Sequence, residues 1–135
     1  MTANLLLFII DDDQDDQDFF AMAIEEITPT ITCVFADNGV EAIVKFNSEL
    51  SFIPNFIFLD INMPKMNGME CLKKIKEIRH ISTIPVYMYS TSDDPSIVQQ
   101  CYLLGANGFI RKPTNIEDLK KRIYEAITLN NNLLL

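Results

Sequence analysis

The stretch Leu5-Leu6-Leu7-Phe8-Ile9-Ile10-Asp11-Asp12-Asp13 is an unbroken apolar run halted by consecutive acids. A strand that is apolar at every position has both faces buried, as in a parallel sheet with helices on either side. The run is far shorter than the roughly 20 residues of a membrane-spanning helix, and no Lys or Arg precedes it as a secretory signal requires. A second run of the same kind, Phe56 to Ile61, again carries an aspartate, Asp60, at its carboxyl end.

Between and beyond these runs the pattern alternates. Phe19, Met22, Ala23 and Ile27 recur at helical spacing from about Asp15 until Thr28 and Pro29 stop them. Ile31 to Phe35 is short and β-branched, and Asn38 with Glu41 has the capping spacing that opens a helix carrying Val40, Ile43, Val44 and Phe46. After a loop with Pro64, Asn67 and Gly68, a third helix is predicted from about Met69 to Arg79. Ile84 to Tyr89 reads as the fourth strand. Asp94 and Pro95 open a helix that Gly105 closes in a left-handed conformation. Phe109 to Arg111 is a short fifth strand, and Thr114 with Glu117 reads as a capping box for a last helix with Ile116, Leu119, Ile123 and Ile127 buried.

Five strand–helix units in series imply a parallel sheet covered on both faces, with right-handed crossovers. At about 150 residues per domain the 135 residues make a single domain, 1–135, with its core over about 5–128 and a tail over 129–135. The end, Asn130 to Leu135, is open to three readings: more helix, a partner contact through Leu133, Leu134 and Leu135, or a loose terminus. A formal net charge of −8 repels phosphate backbones and anionic lipid, so neither direct nucleic-acid nor membrane binding is expected, and the cytoplasm is the expected location. Cys33, Cys71 and Cys101 have none of the close spacings of zinc or redox sites and read as reduced packing residues.

In an open parallel sheet, ligands bind beyond the strand carboxyl ends where the strand order reverses. The residues just past the strands are Asp11 and Asp12, Asp60, Ser90 with Thr91, and Lys112 with Pro113. Two carboxylates about 4 Å apart repel by roughly 4 kcal/mol at an effective dielectric of 20, so such a cluster calls for a cation or a protonated member. Oxygen ligands without His or Cys suit Mg²⁺, with Mn²⁺ or Ca²⁺ able to substitute. A metal so held predicts a phosphate, whose charge Mg²⁺, Lys112 and the Ser90 hydroxyl would share while Asp60 attacks phosphorus in line.

The segments Phe8 to Asp13, Phe58-Leu59-Asp60-Ile61-Asn62-Met63-Pro64 with Asn67-Gly68, Ser90-Thr91, and Gly105-Ala106 through Phe109 to Lys112-Pro113 together resemble the receiver domain of two-component response regulators, in its stand-alone, CheY-like form. The likeness covers about Leu5 to Thr128. It implies a flavodoxin-like (βα)5 three-layer sandwich with strand order 2-1-3-4-5. Asp60 then matches the phosphoacceptor, supplied by a sensor histidine kinase or a histidine phosphotransfer protein. Asp11 and Asp12 match the metal-binding acids, and Asn62 would add its backbone carbonyl. Lys112 matches the lysine that pairs with the phosphoryl oxygens, and the bond to Pro113 is expected to be cis.

By the same resemblance Ser90 is the switch hydroxyl and Phe109 the aromatic that turns inward with it. Output would be phosphorylation-dependent binding of a downstream protein, or pairing with a second copy, on the surface of the fourth helix, fifth strand and fifth helix. Such a receiver speeds its own phosphorylation and dephosphorylation without being a turnover enzyme on external substrates. The plainer reading of Asp13, Asp15, Asp16 and Asp18 is a solvated helix start, and of His80 a favourable charge after the third helix. Two other functions compete: a receiver that binds partners without phosphate, and a haloacid-dehalogenase-type phosphatase, which expects an acid where this chain has Asn62. No Gly-rich segment ending in Gly-Lys-Ser or Gly-Lys-Thr supports a P-loop enzyme.

Overall fold

The computed structural model describes residues 4–130, with side chains to Leu129. Leu133, Leu134 and Leu135, and the readings that rest on them, lie outside the described residues. The chain runs β1 (Leu5–Ile10), α1 (Gln14–Ile27), β2 (Ile31–Ala36), α2 (Gly39–Ser48), β3 (Phe56–Leu59), α3 (Gly68–Glu77), β4 (Val86–Ser90), α4 (Pro95–Leu103), β5 (Gly108–Arg111) and α5 (Ile116–Asn130). The strands form one parallel sheet of order β2-β1-β3-β4-β5, the flavodoxin-like arrangement.

Period-two alternation sends successive strand residues to opposite faces, and both faces are covered. Phe8, Ile10, Ile57, Leu59, Val86 and Met88 meet Ala42 and Phe46 of α2 and Cys71, Leu72 and Ile75 of α3. Leu7, Ile9, Phe58, Tyr87 and Tyr89 meet Phe20 and Ile24 of α1 and Leu119, Ile123 and Ile127 of α5. Ring pairs stitch each layer: Phe8 to Phe46 at 5.2 Å and Phe20 to Phe58 at 5.0 Å between centroids. Such pairs add about 0.5–1.5 kcal/mol beyond the area they bury. All three cysteines are free, and Cys71 and Cys101 are buried core residues.

Register decides where the site falls. Ile10 stands opposite both Ala36 and Leu59, and Ser90 opposite Arg111, so the carboxyl ends of β1, β3, β4 and β5 share one edge. The order reverses at β1, between β2 and β3, and this is where a ligand crevice opens.

Several local expectations are corrected. Strand β4 begins at Val86 because Pro85 has no N–H for the ladder, though its carbonyl still accepts from Ile57 at 3.0 Å. Strand β3 ends at Leu59, since the Ile61 amide turns back to the Asp60 carboxylate at 2.8 Å. Helix α3 stops at Glu77 where Ile78 becomes extended, leaving His80 in an exposed turn. Helix α5 is capped by Asn115 and not by Thr114: Asn115 Oδ1 accepts the Asp118 amide at 2.9 Å. The described peptide bonds are all trans, that between Lys112 and Pro113 included; trans is the lower-energy isomer by about 0.5–1 kcal/mol before proline.

Candidate functional site

Asp11 is fixed by the sheet on both sides. Its amide donates to Ala36 at 3.0 Å, extending the β1–β2 ladder by one step. Its carbonyl accepts from Gln17 Nε2 at 2.7 Å, and Gln17 also donates to Asp37 Oδ1 at 2.9 Å. The carboxylate is fully buried, with Oδ1 accepting the Asp13 amide at 2.9 Å. Asp13 in turn caps α1, accepting the amides of Asp15 and Asp16 at 2.8 and 3.2 Å. The turn from β1 into α1 is therefore built by acids whose oxygens satisfy the backbone donors that a helix start leaves unpaired.

Asp60 follows β3, and its amide donates to Ile10 at 2.9 Å, which sets it directly beside Asp11. It is 5% exposed. Behind it α3 begins with a reciprocal capping box between Asn67 and Glu70, and the Gly68 amide donates to Ile61 at 2.8 Å. Gly68 is required there: a Cβ would lie 2.2 Å from the Asp60 carbonyl oxygen.

Lys112 comes from the opposite wall. Its amide donates to the Ser90 carbonyl at 2.7 Å, tying β5 to β4 at the edge of the site. Its Nζ lies 2.9 Å from Asp11 Oδ2, 2.7 Å from Asp16 Oδ2 and 3.6 Å from Asp60 Oδ1, and 5.2 Å from the Tyr89 ring centre. Carboxylate oxygens of Asp11, Asp12 and Asp60 all lie within 4.8 Å of one another. Asp12 and Asp60 open on a cavity of about 510 Å³ that Asn62 and Thr91 also line.

Burial and like charge act together here. Asp60 is pushed up to about 7, first by burial and then by Asp11 and Asp12, against the pull of the Lys112 ammonium. Burial also raises Asp11, opposed by the Asp13 amide and by Lys112. Burial alone would lower Lys112, but its hydrogen bonds to Asp16 and Asp11 and the charges of Asp11 and Asp60 raise it, so it stays charged.

The donor set fits a divalent cation. Asp11 Oδ2 is buried and, apart from the ammonium beside it, has no well-aligned hydrogen-bond donor among the described residues. Asp12 is exposed toward the cavity. Five aspartates, Asp12, Asp13, Asp15, Asp16 and Asp60, line the cavity against one ammonium, and an all-oxygen set is the choice of hard cations.

The expected residues Asp11, Asp12, Asp60, Asn62 and Lys112 thus come together. Ser90 is 1% exposed; its hydroxyl accepts the Ser92 amide at 3.3 Å, while Thr91 is the one that lines the cavity. Phe109 stands apart from the acids. It is half-buried on a separate groove of about 870 Å³ with Tyr102, Ile110 and Arg122. Two residues of the site went unread in the sequence. Asp16, taken for a solvated helix residue, holds Lys112, and Gln17 braces Asp11. No local signal marks Asp16: Asp15, Asp16 and Asp18 are alike in the sequence, and the pairing with Lys112 joins groups far apart in the chain.

A doubly wound parallel sheet with an acidic pocket and a facing lysine at its switch point defines a class, the flavodoxin-like α/β proteins that work at their strand ends. The family model for the response regulator receiver domain matches residues 7–124. The transcriptional regulatory protein CrdR of Helicobacter pylori is 30% identical over 117 residues, 87% of this chain and 52% of that protein. The chain spans about half the length of the first curated relatives it matches. Among solved structures, the phosphorylated cyanobacterial phytochrome response regulator RcpA is 27% identical, with a TM-score of 0.83 over 94% of each chain. The Mn²⁺-bound form of response regulator Rcp1 is 26% identical, with a TM-score of 0.80 over 92% of each chain. The chain belongs to the response regulator receiver domain family, whose members are signalling modules that interact with kinases and downstream proteins.

Proposed function

We propose that the chain is a receiver that accepts a phosphoryl group on Asp60 from a histidine kinase or a histidine phosphotransfer protein, and that residues 5–128 form the single unit that does so. The observation that carries this reading is the placement of Lys112 Nζ, 3.6 Å from Asp60 Oδ1, across a cavity where Asp11, Asp12 and Asp60 converge. An Asp60 carboxylate oxygen attacks phosphorus in line, the P–N bond to the donor histidine breaks, and the imidazole keeps the electron pair. Asp11, Asp12, Asp60 and the Asn62 backbone carbonyl would hold Mg²⁺, which supplies charge neutralisation at the phosphoryl oxygens. Lys112 shares that charge from the other side, and burial of Asp60 keeps competing hydrogen bonds from solvent away.

The Ser90 hydroxyl would exchange its contact with the Ser92 amide for a phosphoryl oxygen, and Phe109 would follow it inward. Phe109 lines the groove formed by α4, β5 and α5, so its movement reshapes a face suited to a downstream protein or a second copy. The test is incubation with acetyl phosphate and Mg²⁺ followed by intact mass measurement. One phosphoryl adduct is expected, lost in Asp60→Asn and without Mg²⁺. Absence of any adduct on the parent chain refutes the proposal in favour of a receiver that binds partners without phosphate.

A further inference from the structure

The contacts of Lys112 are unequal. Its nearest acceptor is not the Asp60 side chain but Asp16 in the first turn of α1, at 2.7 Å, followed by Asp11 at 2.9 Å. At 3.6 Å, Asp60 lies outside hydrogen-bond range. The ammonium has three protons and, among the described residues, no ion-pair partner besides these three acids, so in the unmodified chain it is held by Asp16 of α1 and by Asp11 just past β1. The Lys112 side chain is 8% exposed, whereas that of Asp16 is 32% exposed. A buried cation therefore leans on a partner at the rim of the pocket.

The backbone of Asp16 is fixed at the start of α1. Its own amide is held by the Asp13 cap at 3.2 Å, and its carboxylate sits at the N-terminal end of α1, which favours negative charge. It also lines the same cavity as Asp60. A phosphoryl group arriving on Asp60 meets Asp16 as a rival for the ammonium and as a like charge across the pocket.

We propose that Asp16 is a positioning residue, a competing anchor that holds Lys112 at α1 while Asp60 is unmodified and yields it to the phosphoryl group afterwards. Asp16 thereby weakens the pocket's grip on that group. This rests on Asp60 being the phosphoacceptor. It assigns chemistry to the otherwise plain acidic stretch after β1, and it ties the first turn of α1 to the state of Asp60.

The test is titration of the full chain with fluoroberyllate at saturating Mg²⁺, followed by NMR, with the Lys112 ammonium signal recorded before the anion is added. Asp16→Asn is expected to bind the anion about two- to five-fold more tightly, the range of one partly exposed charged contact. The Lys112 signal should shift in that variant and return in Asp16→Glu, which can still reach the ammonium. Asp15→Asn removes the same charge from the rim without a contact to Lys112, and should change affinity by less. In a Lys112→Ala background the effect of Asp16→Asn should fall to that of Asp15→Asn. A parent chain that binds while Asp16→Asn binds no more tightly, or no more tightly than Asp15→Asn, overturns this inference alone. A parent chain that takes up no fluoroberyllate overturns the phosphoacceptor reading and this one with it.

Discussion

Asp60 is a carboxyl group with little solvent, two acidic neighbours and one ammonium within reach. Its ordinary value of 3.8 rises to about 7, chiefly through burial. Between those two values the folded chain keeps a proton that the unfolded chain has released, so this group's contribution to stability falls as the pH rises from about 4 to about 7. Asp60→Asn removes the titration. In metal-free urea titrations the variant should match the parent near pH 4 and exceed it by about 1–3 kcal/mol at pH 8. Lys112 has the same slope in its own range: its raised value means a contribution fully present below its ordinary 10.5 and lost as the pH climbs above it. Lys112→Ala leaves buried carboxylates without their counter-charge, and should cost about 2–3 kcal/mol at pH 8 in the same titration.

Helix ends carry the site, and two of them allow sharp tests. Gly68 opens α3 directly under Asp60, where an added Cβ would also lie 2.7 Å from Ile61 Cα. Backbone cannot step aside as a flexible side chain can. Gly68→Ala should therefore destabilise the fold by about 2–4 kcal/mol and shift the Asp60 and Ile61 amide resonances. At the start of α5, Thr114 and Glu117 have the spacing of a capping box, yet Asn115 makes the cap and its Nδ2 also donates to Asp118 at 2.9 Å. Asn115→Ala should cost about 1 kcal/mol in thermal unfolding and Thr114→Ala almost nothing. The misplacement has a local cause: Thr114 and Asn115 are both good caps, and one residue of slack in the β5–α5 connection decides between them. The caps at Asn38 and Asp94 stand as read.

Across the whole molecule, the net charge is −8, and five aspartates line the cavity beside one ammonium, so a divalent cation should act as a folding ligand. Mg²⁺ at a hundred times its dissociation constant is expected to add about 2.7 kcal/mol, read as a higher unfolding temperature that chelation reverses and Asp12→Asn diminishes. The order of elements, the covered parallel sheet and the placement of Asp11, Asp60 and Lys112 past strand ends were all legible in the chain. Apolar runs, cap residues and the acids that stop strands act over a few neighbouring positions, and the crossover rule converts their alternation into topology. What the linear order could not rank was competition between distant groups. Asp16 and Lys112 are 96 residues apart, and nothing local distinguishes Asp16 from Asp15 or Asp18 as a partner. The sequence by itself determined that acids and a lysine would meet at one edge of the sheet. Only the tertiary structure decided which acid holds the lysine, because that choice depends on sub-ångström differences set by α1 packing on the strands and not by any residue's neighbours in the chain.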